Sequence, residues 1–160
     1  MAEISDYTTG KILSDAKLAL RMIKLLNVPL IGLLIGKKLV KKIKSFEPYL
    51  INFNIASFFI NKSTKCAVGE RVCKTLHQRS KPTMSIFLDE LADAMVAAGK
   101  ANYVTKIQAH TELKKYRQPI ILSKVSDNFA EICCTIPEDC IFWNMERKGF
   151  KVVSKRGRYL

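Results

Sequence analysis

The segment PIILSKVSDNFAEICCTIP, residues 119–137, constrains the fold more than any other. Ile120 to Val125 and Phe129 to Thr135 are strand-like runs, rich in β-branched and large apolar residues. Between them, SDN supplies turn chemistry, because short polar side chains hydrogen-bond their own backbone. A β-hairpin is predicted here. A helix pair is predicted just before it, so the fold class expected is α+β.

The helix pair comes from period and caps. TMSIFLDELADAMVAAGKA, residues 83–101, places Phe87, Leu91, Met95 and Ala98 on one face, with Asp89, Glu90 and Asp93 on the other. Gly99 follows the last apolar residue and suits a left-handed C-terminal cap. The next helix starts at Thr105, where TKIQ reads as a capping box between Thr105 and Gln108. Ala109, Leu113 and Tyr116 form its apolar stripe, and Pro119 stops it. After the hairpin, EDCIFWNMERKGF reads as a short helix closing at Gly149.

Upstream, residues 9–27 read as an amphipathic helix with Leu13, Ala16, Leu20 and Ile23 on one stripe. A second helix follows Pro29, a residue suited to a first helical turn. In it Lys37, Lys41 and Lys44 make one stripe, with Lys38 and Lys42 beside it, while Leu39, Val40, Ile43 and Phe46 face the other way. Such a helix can lie on an anionic membrane surface, or pack on a core with its lysines in water. The uncharged run from Leu25 to Gly36 is about half the ~20 residues that span a bilayer. Residues 47–65 are apolar and aromatic, and fit a strand or a buried helix. The expected organisation is a basic helical arm over 1–46, a small helix-pair plus β-hairpin domain over 47–150, and a basic tail over 151–160.

Composition turns attention to anions. The formal net charge is +13, with 48% hydrophobic residues to build a core. Candidate partners are an acidic redox partner protein, an anionic membrane surface or a nucleic acid. The first residues lack a basic leader region, so a cytoplasmic chain is expected, membrane-associated on that face if the arm docks. In a reducing compartment, five cysteines point to metal binding, catalysis or burial rather than disulfides.

The cysteines fall in matched pairs. Six residues separate Cys66 from Cys73, and six separate Cys133 from Cys140. Four thiolates brought together would suit an iron–sulfur cluster, or zinc as the alternative, and the wide spacing favours the former. Cys134 and His77 are possible spare ligands. On a strand, Cys133 and Cys134 point to opposite faces, so both can hardly serve one site. Gly69 would let the backbone approach a cluster, Arg71 would offset its charge, and Trp143 would shield it; the plain alternatives are a turn at Gly69, pairing of Arg71 with Glu70 or solvent, and a core position for Trp143. The remaining reading is that all five thiols are buried or redox-active.

A cysteine-containing loop, then FLDELADAMVAAGKANYVTKIQAHTELKKY, a hairpin and a final cysteine cluster resembles the layout of poorly characterised iron–sulfur proteins of anaerobic microbes. The resemblance covers residues 66–140 and implies that the four paired cysteines ligate a cluster.

Catalysis has no diagnostic pattern: there is no Walker-type loop, dinucleotide fingerprint, zinc-protease helix or Gly-x-Ser-x-Gly elbow. Cys73, beside Arg71 and Lys74, is the one candidate nucleophile, since positive charge lowers a thiol pKa. Whether the chain is an enzyme stays open. The expected function is a small metal-cluster protein in electron transfer or redox sensing, docked by its basic arm. The alternative is a winged-helix-like nucleic-acid-binding module with structural zinc or plain buried cysteines, in which Lys106, Lys114, Lys115 and Arg117 lie near phosphates.

Overall fold

The computed structural model describes residues 2–28, 31–70, 84–115 and 119–155. Its centre is a seven-stranded sheet in the order β4-β2-β3-β6-β5-β1-β7. The strands are β1 (Tyr49–Ile51), β2 (Cys66–Glu70), β3 (Met84–Leu88), β4 (Ala101–Val104), β5 (Ile120–Val125), β6 (Asn128–Cys134) and β7 (Ser154–Lys155). Every pairing is antiparallel except that of β1 with β7. The described helices are α1 (Ile4–Thr8), α2 (Lys11–Lys24), α3 (Ile31–Lys44), α4 (Phe53–Lys62), α5 (Asp89–Ala97), α6 (Lys106–Lys115) and α7 (Ile141–Arg147). The chain is thus an α+β protein.

Strand alternation sorts the side chains between two faces. On one face, Cys66, Ile86, Leu88, Leu122, Ile132 and Cys134 form a core with Ala56 and Ile60 of α4 and Ala109 and Leu113 of α6. On the other, Ala67, Phe87, Val125 and Ala130 pack with Tyr7 of α1 and Leu91, Ala92 and Met95 of α5. A third cluster joins α2, α3 and α7 through Ala19, Ile23, Leu39, Ile43 and Met145, with Val152 beside them. The N-terminal helices therefore share a core with the rest of the chain.

The hairpin forms as expected, with β5 and β6 joined by Ser126 and Asp127, both at positive φ. That conformation matches the right-handed twist of the paired strands. The capping box forms too: the Gln108 side chain accepts from Thr105 N at 2.8 Å, and Gln108 N donates to Thr105 Oγ1 at 3.2 Å. Gly99 and Gly149 take left-handed φ after α5 and α7. Residues 47–65 hold a strand and a helix in succession, β1 then α4.

The helix expected over residues 83–101 is corrected at its start. Met84–Leu88 is a strand paired on both sides, with β2 and β6, and only Asp89 onward is helical. Ile86, Phe87 and Leu88 are almost wholly buried, which an interior strand covered on both faces requires. The junction is at Asp89, where φ is +49° and the carboxylate accepts from Thr64 N at 2.6 Å and Lys65 N at 3.2 Å. The expected helix pair does not pack as a pair. α5 lies on one face of the sheet and α6 on the other, with β4 between them in the chain. The helix expected over residues 9–27 forms as α2, continued by a 3₁₀ turn at Leu25–Asn27; α1, set off from it by Gly10 at φ +79°, precedes the expected segment.

Candidate functional site

Two features stand out on the side of the sheet that carries α2, α3 and α7: an exposed helical tip and a cavity that opens to solvent beside Asp15 and Lys42.

The tip follows from how α2 and α3 are held. Asp15, early in α2, accepts from Lys42 Nζ, late in α3, at 2.7 Å, so the two helices run antiparallel. The chain turns close at the other end: a Cβ at Gly32 would stand 2.4 Å from the Leu26 carbonyl oxygen, so only glycine fits. Further along, Gly36 faces the Phe150 ring, 2.0 Å from where a Cβ would sit. Gly32, Gly36, Leu39 and Ile43 make the buried stripe of α3, and Leu33, Leu34, Lys37, Lys38, Lys41 and Lys44 stand in solvent. This bears out the stripe read from the lysines, except that Lys42 is committed to Asp15.

The exposed apolar side chains are not spread evenly. Among the described residues nine large apolar side chains are exposed, and five of them are Leu18, Leu25, Val28, Leu33 and Leu34. Leu33 is 54% exposed and Leu34 66%, values at which a leucine gains little from the protein core. Lys37 and Lys38 follow them by one helical turn, on the same side of α3. Between Lys11 and Lys44 the chain carries nine Lys or Arg residues and one acid, Asp15. Exposed apolar patches rimmed by polar residues are common at interaction surfaces. Among the described residues no helix is long and apolar enough to cross a membrane.

The cavity lies beneath the same two helices and has a volume of about 110 Å³. Ile12, Ala16 and Ala19 of α2, Leu39 and Ile43 of α3, and Phe142 of α7 give it apolar walls. Ser123 of β5 and Glu131 and Cys133 of β6 lie on the sheet side, and Cys140 stands where α7 begins. Glu131 is held from two sides: Tyr7 donates its phenol to Oε2 at 2.7 Å, and Ser85 donates its hydroxyl to Oε1 at 2.8 Å. Thr135 also borders the cavity, accepting from Trp143 Nε1 at 2.8 Å while donating to the Pro119 carbonyl at 2.9 Å. These paired groups account for a carboxylate and a hydroxyl in an apolar setting.

The described cysteines are divided by the sheet. Cys133 and Cys140 border the cavity, whereas Cys66 and Cys134 lie in the core on the opposite face. Cys133 and Cys134 do point to opposite faces, as strand alternation requires. Cys66 stands two strands from Cys133 in the sheet order, with Ser63 Oγ 3.2 Å from its sulfur. Cys66 therefore does not converge with Cys133 and Cys140. Among the described residues no three Cys, His, Asp or Glu side chains form a group able to hold a metal ion. Cys73, His77 and Arg71 lie outside the described residues. Gly69 has a packing role, because a Cβ there would stand 2.4 Å from the Lys100 carbonyl oxygen. Trp143 serves the Thr135 hydrogen bond rather than facing a cluster.

Sequence reasoning missed Tyr7, Ser85 and Glu131. The available signal was Glu131, a lone acid within the apolar run FAEICC. A charged residue inside a buried strand needs partners, and here they come from β3 and from α1.

No family model, curated protein or solved structure matches this chain.

Proposed function

We propose that this protein docks on an anionic membrane surface through the tip of its α2–α3 hairpin. The observation that carries this reading is the concentration of exposed leucine and valine at one end of the hairpin, backed within a turn by lysine. Leu25, Val28, Leu33 and Leu34 would enter the boundary between headgroups and acyl chains. Lys37, Lys38 and Lys41, with Arg21 and Lys24 of α2, would remain among the headgroups. Each basic residue held near an anionic surface contributes about 1 kcal/mol, a contribution that salt weakens. Lys42 adds least, because Asp15 already neutralises it. The protein would then be a peripheral, interfacially anchored α+β module.

The reading differs from attraction by charge alone in needing the leucines. Purified protein is sedimented with vesicles of phosphatidylcholine, with and without a phosphatidylglycerol fraction. Binding is expected only with the anionic lipid, and is expected to be lost in Leu33→Asp/Leu34→Asp and weakened by Lys37→Glu/Lys38→Glu. Both pairs are exposed, so the fold is retained. Binding to duplex DNA that survives the leucine substitutions, with no vesicle binding, would overturn the reading in favour of a nucleic-acid partner.

The cysteine placement gives a metal cluster no comparable support. The α5–α6 arrangement likewise does not assemble the winged-helix shape that the nucleic-acid alternative called for.

A further inference from the structure

We infer, building on the docking reading above, that the groove between α2 and the segment entering α7 binds the phosphomonoester headgroup of an anionic lipid, held by Lys17, Arg21 and Lys24.

Lys17, Arg21 and Lys24 follow one another at steps of four and three residues, so they form one stripe along α2. All three are exposed. Asp15, on the flank of α2 that meets α3, is taken by Lys42. The basic stripe lies on the flank that meets α7. There it borders an open groove of about 390 Å³, together with Leu20 and Ile23 of the same helix and Glu138 and Asn144 across from them. That volume falls within the range of small-ligand sites, about 300–1,000 Å³. Lys24 directly precedes Leu25, the first apolar residue of the tip, so the groove begins where the membrane boundary would lie.

Among the described residues no carboxylate pairs with these three cations, whereas Lys11, Lys42, Lys65, Lys115 and Lys124 each have one. The helix dipole accounts for Arg21 and Lys24, in the last turn of α2, but not for Lys17 two turns earlier. Like charges four residues apart, as at Lys17 and Arg21, weaken a helix, and an anion in the groove relieves that repulsion. Asn144 is already committed: its Nδ2 donates to the carbonyls of Glu138 at 3.0 Å and Cys140 at 2.9 Å, and its Oδ1 accepts from Arg147 at 3.1 Å. The donors for a ligand are therefore the cations of α2. Three of them against the exposed Glu138 carboxylate leave the groove a formal charge of +2. A phosphomonoester matches that charge, carrying about −1.5 to −2 near neutral pH on three acceptor oxygens, two of which the planar fork of Arg21 can grip. A phosphodiester offers one charge and fewer free oxygens. The adjoining Leu25 favours a lipid over a soluble phosphate, because it places an acyl boundary beside Lys24.

The test uses full-length protein and two sets of phosphatidylcholine vesicles, one with phosphatidic acid and one with phosphatidylglycerol, matched in zeta potential. Binding to the phosphatidic acid set is expected to be at least about fivefold tighter. Lys17→Gln/Arg21→Gln should bring the two affinities to within about twofold of each other. Lys37→Gln/Lys38→Gln, an equal change of charge on α3, should weaken both and keep the preference. All four side chains are exposed, so the fold is retained. Glycerol 3-phosphate in large excess, at fixed ionic strength, should not displace the protein; displacement would assign the groove to a soluble phosphate ester and overturn the lipid assignment. Equal binding of both sets by the unsubstituted protein, or a preference that survives Lys17→Gln/Arg21→Gln, would overturn the inference and leave docking intact. Absence of binding to either set would overturn docking and the headgroup site together.

Discussion

Tyr7 and Glu131 are 124 residues apart in the chain, and their side chains meet at 2.7 Å. The bond ties α1, a five-residue helix too short to persist alone, to the middle of the sheet. Tyr7 is buried and also packs edge-on against Phe87, at 6.5 Å between ring centres. Tyr7→Phe keeps the ring contact and removes the hydroxyl, leaving the carboxylate with one fewer donor. The expected loss is about 1–3 kcal/mol of unfolding free energy by urea titration. Pairing this change with Glu131→Gln in a double-mutant cycle should show non-additivity; additive losses would show that the bond contributes little.

Gly36→Ala should destabilise the hairpin although alanine is the better helix former. The new methyl would be placed 2.0 Å from the Phe150 ring, so either ring or helix must move. Overpacking of this kind costs about 1–3 kcal/mol, more than the roughly 1 kcal/mol gained in helix propensity. Phe150→Leu in the same chain should recover part of the loss in thermal unfolding, and an unchanged midpoint in the single variant would refute the close approach.

Acid should weaken the protein through two exposed ion pairs. A hydrogen bond from Lys65, then one from Tyr103, lowers the pKa of Asp93; a hydrogen bond from Lys124 lowers that of Glu47. A carboxylate with a depressed folded pKa contributes stability above its unfolded value, about 4, and loses it as pH falls through the folded value. The urea midpoint should therefore drop as pH falls below about 4, and Asp93→Asn combined with Glu47→Gln should flatten that drop. The effect is small because both pairs are at the surface, and added salt should shrink it further.

Thiol chemistry should separate the cysteines by face. Cys133 and Cys140 border a cavity that reaches solvent beside Asp15 and Lys42, whereas Cys66 and Cys134 lie within the α4–α6 core. Brief iodoacetamide treatment under native conditions, followed by mass spectrometry, should label Cys133 or Cys140 ahead of Cys66 and Cys134. Equal labelling of all four would mean that the two faces are equally closed.

Local signals were legible wherever a single segment decides the geometry. The Thr105–Gln108 capping box, the glycines at 99 and 149 and the Ser126–Asp127 turn each act within a few residues, and each formed as its chemistry requires. The α3 stripe was legible for the same reason. Met84–Leu88 was misread because an interior strand is apolar on both faces, and its short run into Leu91 and Met95 mimics a helical period. The cavity left no local trace. Its lining is drawn from residues between Tyr7 and Phe142, brought together only by the sheet order and the return of α7 onto α2. The matched spacing of Cys66–Cys73 and Cys133–Cys140 was visible, but spacing along a chain says nothing about which side of a sheet each sulfur faces.

The α2–α3 hairpin has a consequence for how the molecule responds to load. α3 is 14 residues long, about 21 Å from end to end, and stiff along that length. Leu33 and Leu34 stand near one end, and Leu39 and Ile43 wall the cavity toward the other. The hairpin is thus a lever with its handle in solvent and its foot packed against α7 and the sheet. Load on the handle is therefore carried by the Asp15–Lys42 pair and by Leu39 and Ile43 in the core they share with α7, so substitutions there change how firmly the tip is held.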